Sequence, residues 1–180
     1  GNEEMPNAEH NVILSFTRFL CGPADYTPCY FNGRVKNTKA HQLAMPVVYY
    51  SPITFLYWYD LPDVYKGEKE LDFWKHCPTV WDESKALAGE IGEYIIQARR
   101  TGNDWFVGAM NGLQARNITL NTADFLQKGK KYRVEIYNDD PFLQTRTKVS
   151  STVVNVKAGK QLKLHLQASG GAALRFVPVR

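Results

Sequence analysis

Several side chains in the first third of the chain are of types that bind hydroxyl-rich ligands. Asp25 stands in a loop rich in glycine and proline, and Asp60 follows the aromatic run at 57–59. Either carboxylate could accept two hydrogen bonds from neighbouring hydroxyl groups, and Tyr26 offers an aromatic face. Simpler interpretations remain: Asp25 bonds its own turn, Asp60 caps a helix and Tyr26 belongs to the core. His41 is either a donor to such a ligand or a satisfied structural histidine.

A helix should position His41. Thr38 is suited to cap a helix over residues 39–50, because its hydroxyl can accept from a free backbone N–H of the first turn. Leu43, Val47 and Tyr50 fall on one face of that helix. Pro46 must kink or divide it, since its ring removes one hydrogen bond and clashes with the preceding turn.

Strand-like segments alternate with the helices. Residues 53–59 are rich in β-branched and aromatic residues and predict a strand buried on both faces, followed by a short helix at 70–76. Residues 16–21 are interpreted as a further strand, although 12–20 fits both strand and helix periods. A helix, a buried strand and a second helix are typical of the closing units of an α/β barrel, where carboxylates at strand ends contact substrate.

The pattern changes near residues 77–82 to short alternating segments separated by turn residues. Seven strands are predicted, at 94–99, 105–110, 115–120, 132–137, 149–156, 162–166 and 173–177. Together they predict an antiparallel sandwich or open barrel of about 100 residues. The predicted fold class is α+β: residues 1–78 supply the last βα units of a barrel, and residues 79–180 form an antiparallel β-sandwich domain. Asp82-Glu83 is interpreted as a loop or helix start, and Asp139-Asp140 as a turn.

Composition excludes several classes of protein. The 22 Lys and Arg against 18 Asp and Glu give a net charge of only +4, scattered along the chain, so we expect no nucleic-acid partner. No apolar stretch reaches the roughly 18 residues of a membrane span. The three cysteines lack metal-ligand spacing. Cys21 and Cys29 either pair in an oxidising compartment or, as we favour, remain buried free thiols.

The residue order is more specific than these patterns. The chain resembles the C-terminal part of glycoside hydrolase family 97, a family of bacterial α-glucosidases and α-galactosidases, in the segments FTRFLCGPADYTP at 16–28, HQLA at 41–44, YYSP at 49–52, PTVWDE at 78–83, GEIGEY at 89–94, ARR at 98–100 and WFVGA at 105–109. A (β/α)8 barrel needs roughly 250 residues. The resemblance therefore implies the end of a catalytic barrel followed by the family's C-terminal β domain.

The resemblance also implies site residues. Gly1-Asn2-Glu3 corresponds to the stretch that carries the family's general acid, so Glu3 is the candidate catalytic residue, with Glu4 a chemically equivalent neighbour. The residues expected to line the sugar pocket are Asp25, Tyr26, His41 and Asp60. The resemblance implies Ca2+ as a cofactor, with most of its ligands outside this chain, because no Asp/Glu cluster here has the spacing to hold it. The second catalytic carboxylate lies outside as well.

Two functions follow as hypotheses. In the first, the chain is the C-terminal fragment of an enzyme that hydrolyses terminal α-glucosidic or α-galactosidic bonds, and is inactive when isolated. In the alternative, it is a non-catalytic β-sandwich module that stabilises the barrel or binds glycan. The expected partners are an oligosaccharide substrate, the upstream part of the barrel and, because half a barrel leaves apolar surface uncovered, a second copy in a homodimer. The resemblance implies a bacterial protein that is periplasmic or secreted.

Overall fold

The computed structural model describes residues 5–56 and 62–179, which form three α-helices, eight strands and four short 3-10 helices. The α-helices are α1 (Ala8–Ser15), α2 (Lys39–Val48) and α3 (Asp72–His76). The strands are β1 (Glu83–Glu90), β2 (Tyr94–Thr101), β3 (Asp104–Asn111), β4 (Arg116–Asn121), β5 (Lys131–Asp139), β6 (Val149–Lys157), β7 (Gln161–Leu166) and β8 (Gly171–Pro178). The 3-10 helices are Arg18–Leu20, Pro62–Val64, Lys69–Leu71 and Thr122–Asp124.

The strands form two sheets in which each pair is antiparallel. The larger sheet has the order β1-β2-β3-β8-β5-β6, and β4 pairs with β7 in a second, two-stranded sheet. Apolar side chains of the two sheets, among them Val107, Leu120, Leu166 and Phe176, share one core. The architecture is mostly antiparallel β structure with few helices, consistent with a β-sandwich. Each of the seven predicted strands is confirmed, with ends shifted by a few residues.

Helix α2 covers the other face of the large sheet. Leu43 and Val47 of α2 pack with Phe106, Tyr137 and Ala173 of the strands. The central strand β3 is therefore buried on both faces, which explains its continuous apolar sequence. The predicted division between residues 78 and 79 stays a prediction, but the segment before it and the strands after it share a core.

The predicted cap and helix around His41 are confirmed. The Thr38 hydroxyl accepts from the backbone N–H of His41 at 3.2 Å, and α2 runs from Lys39 to Val48 with Pro46 inside its last turn. It ends two residues before the predicted position. No helix in the described part of the chain is long and apolar enough to cross a membrane.

The two predicted barrel strands are not observed. Residues 16–21 form turns and the 3-10 helix Arg18–Leu20, with Leu20 75% exposed. Residues 53–56 are irregular, Ile53 is 59% and Phe55 64% exposed, and the rest of that predicted strand lies outside the described residues. A parallel strand is stable only between neighbouring strands that complete its hydrogen bonds and cover both its faces. This chain supplies no such neighbours among its described residues.

The predictions for Asp82-Glu83, Asp139 and the cysteines need correction. Glu83 begins β1, an edge strand that the sequence analysis missed, and Asp139 ends β5 instead of lying in a turn. All three cysteines are free thiols, as favoured for Cys21 and Cys29, but Cys21 is exposed and Cys29 is only half-buried.

Candidate functional site

Helix α2 lies unusually close to the sheet because two glycines face it. A Cβ on residue 108 of β3 would be 2.8 Å from the carbonyl oxygen of Ala44 and 2.9 Å from Cβ of Val47. A Cβ on residue 171 of β8 would be 2.7 Å from Cα of His41. Such distances are shorter than ordinary van der Waals contact, so only glycine permits this approach. We call this contact between α2 and the two glycines the helix seat.

The helix seat places His41 in a fully buried position. Its Nδ1 lies 3.0 Å from the carbonyl oxygen of Gly170, and its Nε2 lies 3.2 Å from the side-chain amide nitrogen of Asn11. Because a carbonyl only accepts, Nδ1 carries the proton and Nε2 accepts from Asn11. Burial lowers the pKa of His41 to about 4, so the ring is neutral at pH 7. Its described contacts engage both nitrogens inside the protein.

Asn11 of α1 connects the two ends of α2. Its side chain donates to His41 in the first turn, while its backbone carbonyl accepts from the hydroxyl of Tyr49, just past the last turn, at 2.7 Å. Asn11 is itself buried. Sequence reasoning missed it, since a single asparagine before an apolar run carries no signal of contacts about 30 residues ahead.

Asp139 at the end of β5 holds the N-terminus of α2. Its Oδ2 accepts from the Thr38 hydroxyl at 2.9 Å and from the backbone N–H of Gly171 at 2.9 Å, and its carboxylate also bonds the backbone N–H of Ala40. Burial raises the pKa of the Asp139 carboxyl to about 6, against the effect of these donors. An anion at this position also interacts favourably with the helix dipole.

Arg99 of β2 holds the opposite end of α2. Its Nε donates to the carbonyl of Val47 at 2.5 Å, its Nη2 to that of Val48 at 3.3 Å, and its Nη1 to the Ser84 hydroxyl at 2.6 Å. The last carbonyls of a helix have no partner within the helix, so a buried guanidinium satisfies them and suits the negative end of the dipole. Both ends of α2 are therefore fixed by charged residues of the large sheet.

Tyr26 lies beside the C-terminal end of α2. Its ring meets Tyr49 edge to face with centroids 5.1 Å apart, and Phe19 stacks on Tyr49 at 4.3 Å. The Tyr26 hydroxyl accepts from Thr54 Oγ1 at 3.4 Å, and burial raises the pKa of the tyrosine. Most of the ring is packed, so the core interpretation accounts for its described contacts.

The candidate residues that the structure describes are not gathered into one cluster. Asp25 is exposed in the loop before Tyr26, which is tied to the chain after α2 by a bond from the N–H of Ala24 to the carbonyl of Tyr50 at 3.3 Å. His41 and Tyr49, the neighbour of Tyr26, are separated by about 12 Å along the helix axis. Glu3 and Asp60 lie outside the described residues.

Two cavities offer polar linings. The larger, about 370 Å³, is lined by the charged residues Glu83, Asp124, Lys85 and Arg100 and by the aromatic ring of Trp105, among others. The hydrogen bond from Arg100 lowers the pKa of Glu83, which is therefore an anion at neutral pH. The second, about 300 Å³, lies at the N-terminus of α2 and contains one carboxylate, that of Asp139.

No cluster of three or more His, Cys, Asp or Glu residues within 5–56 and 62–179 could hold a metal ion. Calcium prefers several carboxylate and carbonyl oxygens around one point. Calcium as a cofactor therefore stays a prediction.

Comparison with known families identifies the strand-rich part of the chain. The family model described as the C-terminal, oligomerisation domain of glycosyl hydrolase 97 matches residues 80–177, which is more than half of the chain. This chain belongs to glycoside hydrolase family 97. The matched region contains the eight strands of the described fold except for the last residue of β8, and the resemblance inferred from the sequence is confirmed.

Relatives of this family 97 chain are longer proteins. A retaining alpha-galactosidase of Bacteroides thetaiotaomicron is 35% identical over 191 residues, which cover 98% of this chain and 28% of that protein. A family 97 enzyme of Pseudoalteromonas sp. strain K8, solved with panose, has a TM-score of 0.88 and 34% identity over 99% of this chain and 30% of its own. A beta-arabinopyranosidase has a TM-score of 0.76 and 25% identity over 93% of this chain and 28% of its own. The chain thus spans less than a third of each of these proteins.

The segments that carry the family 97 resemblance meet in the structure. Asp82 accepts from the N–H of Gly102 at 2.7 Å, and Glu83 accepts from Nε of Arg100 at 3.1 Å, so the PTVWDE segment binds the strand that carries ARR. Arg99 of the same strand caps α2. The WFVGA segment is the part of β3 that contains Gly108. These segments therefore build the contact between α2 and the sheet.

Proposed function

We propose that this chain is the C-terminal part of a family 97 α-glycosidase that hydrolyses terminal α-galactosidic or α-glucosidic bonds. Its similarity to a retaining alpha-galactosidase and to a family 97 enzyme solved with panose supports both sugars as candidates. In this proposal the upstream part of the longer protein supplies the second catalytic carboxylate and the calcium ligands. The isolated chain is then inactive.

The observation that carries this proposal is the distribution of carboxylates among the described cavities. Glycoside hydrolysis needs one carboxyl that is protonated and another that is ionised, on either side of the bond to be broken. The larger cavity is lined by two carboxylates, Glu83 and Asp124, and Glu83 is held as an anion by Arg100. In the second, Asp139 has a raised pKa, but no second carboxylate lines the cavity and its oxygens are occupied by backbone and hydroxyl donors. The cavity that contains a carboxyl with a raised pKa therefore has no second carboxylate to complete the pair.

Glu3 is the proposed general acid. It would donate its proton to the glycosidic oxygen as the bond to the anomeric carbon breaks, and the upstream carboxylate would act on the sugar from the other face. Asp25, whose side chain is exposed, would accept hydrogen bonds from sugar hydroxyls, with Asp60 as a second acceptor. His41 and Tyr26 would act as positioning residues, since their described contacts lie within the protein.

The test compares the isolated chain with the longer gene product, on nitrophenyl α-galactoside, nitrophenyl α-glucoside and the corresponding disaccharides. We expect turnover only by the longer product, and loss of that turnover on chelation of calcium. Glu3→Gln should reduce hydrolysis of disaccharides by about 10²–10⁴-fold and hydrolysis of nitrophenyl glycosides much less, because nitrophenolate leaves without a proton. Glu4→Gln is the matched control and should keep activity on both.

Three results would contradict the proposal. Turnover by the isolated chain would mean that the site is complete here. Equal losses on both substrate types in Glu3→Gln would indicate a structural role, and loss in Glu4→Gln alone would transfer the acid to the neighbouring residue.

A second role, as a non-catalytic module, is favoured by the description of the matched domain as an oligomerisation domain. In this role the strands of residues 80–177 hold α2 in place and join copies of the longer protein. The domain itself catalyses no reaction. Expression of the upstream part without this chain should then yield protein that is insoluble or monomeric, and co-expression with this chain should restore its assembly.

A further inference from the structure

Strand β6 forms an unpaired edge of the large sheet. It runs nine residues, Val149–Lys157, and pairs with β5 on its inner side in continuous register. Among the residues that the structure describes, no strand pairs with its outer side. Its sequence VSSTVVNVK has no charge before the final lysine and no proline, and Val153 at its midpoint is 52% exposed. An edge of this kind is a template for pairing with another strand.

The other edges are protected in ways that β6 is not. Strand β1, at the opposite edge of the same sheet, has a register shift between Ala86 and Ala88 and carries Glu83, Lys85 and Glu90. Strands β4 and β7 are six residues long, and each carries a basic residue. Bulges, charges and short length are the usual means by which proteins prevent edge pairing. Among these four edges, only β6 combines a length of nine residues, an uninterrupted register and a single charge that lies at its last residue.

We propose that β6 pairs antiparallel with β6 of a second copy, joining the two large sheets across a two-fold axis near Val153. This inference rests on the proposed oligomerisation role of the chain and specifies its surface. A two-fold interface uses the same patch on both copies, and an antiparallel strand pair satisfies that requirement with itself. With the axis at the strand midpoint, Val153 lies directly opposite Val153 of the partner subunit, a β-branched pair of the kind that stabilises sheets.

A second copy fits this edge better than the upstream part of the longer protein. The domain described as oligomerising covers residues 80–177 and so includes β6. The large exposed apolar side chains of the segment before it, Leu20, Ile53 and Phe55, are a separate surface available to the upstream part. The sequence of β6, which is uncharged up to its final lysine, can pair with itself and needs no partner of different chemistry.

The test is the oligomeric state of the chain by sedimentation equilibrium. We expect a dimer, and we expect Val153→Lys to raise its dissociation constant at least about tenfold, because like charges directly opposite one another destabilise a strand pair. Within its own chain residue 153 faces Glu135 of β5, so a lysine there meets an opposite charge and the fold is retained.

Two matched variants control the result. Ala86→Lys adds the same charge to the other edge of the sheet, and Phe55→Ser removes an exposed apolar side chain outside the β domain. Both should leave the dimer unchanged. If the dimer survives Val153→Lys, or if it is lost in Phe55→Ser instead, the interface does not lie at β6, although the chain still forms a dimer. A wild-type chain that is monomeric would overturn the homodimer itself, and neither result would bear on hydrolysis by the longer protein.

Discussion

The helix seat predicts that a single methyl group at residue 108 destabilises the chain. In Gly108→Ala the new Cβ would lie 2.8 Å from the Ala44 carbonyl oxygen, 2.9 Å from Cβ of Val47 and 3.1 Å from Cγ2 of Val48. The nearest atom belongs to the helix backbone, so it cannot be relieved by rotating a side chain. Helix α2 must move away from the sheet, or β3 must bend.

Two opposing effects set how much Gly108→Ala changes the free energy of unfolding. Inserting a methyl group into a well-packed interface typically costs about 1–3 kcal/mol. Replacing glycine by alanine also reduces the entropy of the unfolded chain, which stabilises by about 0.4–1 kcal/mol where the backbone conformation is compatible. Gly108 does not have a positive φ, so this gain applies. The net expectation is a loss of about 1–2 kcal/mol, or about 2–8 °C in Tm for a chain of this size.

Thermal and urea denaturation, followed by circular dichroism, measure this difference. The matched control is Gly33→Ala, since a Cβ at residue 33 would have no atom within 4 Å and its φ is ordinary. The control should be neutral or slightly stabilising. If Gly108→Ala were as stable as the control, α2 would not be in close contact with β3, and the account of the seat would be wrong.

Three further predictions concern the ends of α2. Arg99→Met should lower the free energy of unfolding by about 2–4 kcal/mol, because the last helix carbonyls lose a buried charged donor; denaturation measures this. Thr38→Val should cost about 1–2 kcal/mol by removing the cap, measured in the same way. In Asp139→Asn the free energy of unfolding should increase by about 3 kcal/mol as the pH rises from 4 to 6.5. In His41→Gln it should decrease by a similar amount over the same range, and urea midpoints measured at several pH values test both.

His41 and Asp139 affect the pH dependence of stability in opposite directions, because folding lowers the pKa of the histidine and raises that of the aspartate. His41 has a folded pKa of about 4, below its unfolded value of about 6.5, so its contribution to stability increases as pH rises through this window. Asp139 has a folded pKa of about 6, above its unfolded value of about 3.9, so its contribution decreases over nearly the same window. The wild-type profile should be nearly flat. A steep wild-type profile, or single variants that match it, would contradict the assigned burial of one group.

Arg99→Met and Thr38→Val each have a conservative control, which keeps the positive charge in the first case and the hydroxyl group in the second. Arg99→Lys should recover little of the lost stability, because an ammonium cannot bond two carbonyls and a hydroxyl in the planar arrangement of the guanidinium. Thr38→Ser should recover most of it, because serine is an equally good cap. Full stability of Arg99→Lys would show that charge alone matters at the helix end.

The elements governed by local rules were predictable from the sequence. The cap at Thr38 and the seven alternating strands depend on residue type and spacing over a few positions, and both are confirmed. Strand β1 was missed because ESKALAGE is rich in good helix formers, and pairing with β2 overrides that propensity. The predictions of strands at 16–21 and 53–56 were wrong. Their apolar sequences suit strands buried between neighbouring strands, and the described part of the chain provides no such neighbours.

The residues that support the candidate site were not predictable in this way. Asn11 bonds His41 across 30 positions, Arg99 bonds Val47 across 52, and Asp139 bonds Thr38 across 101. No local pattern marks a polar side chain whose partners are so distant. The ARR and WFVGA segments gave a signal only through their resemblance to the family. The structure gives a reason for two of their residues: Arg99 bonds the last carbonyls of α2, and Gly108 leaves room for α2 to pack against β3.

These contacts make α2 the link between the strands and the loop that carries Asp25 and Tyr26. The sheet fixes α2 at both ends through Asp139 and Arg99, and α2 in turn fixes α1 through Asn11 and the loop of Tyr26 through Tyr49. A change at the helix seat should therefore disturb the loop of Asp25 and Tyr26 as well as lower stability. Strand β6 lies three positions from β3 in the sheet order, so a change at its edge should alter assembly and leave that loop in place.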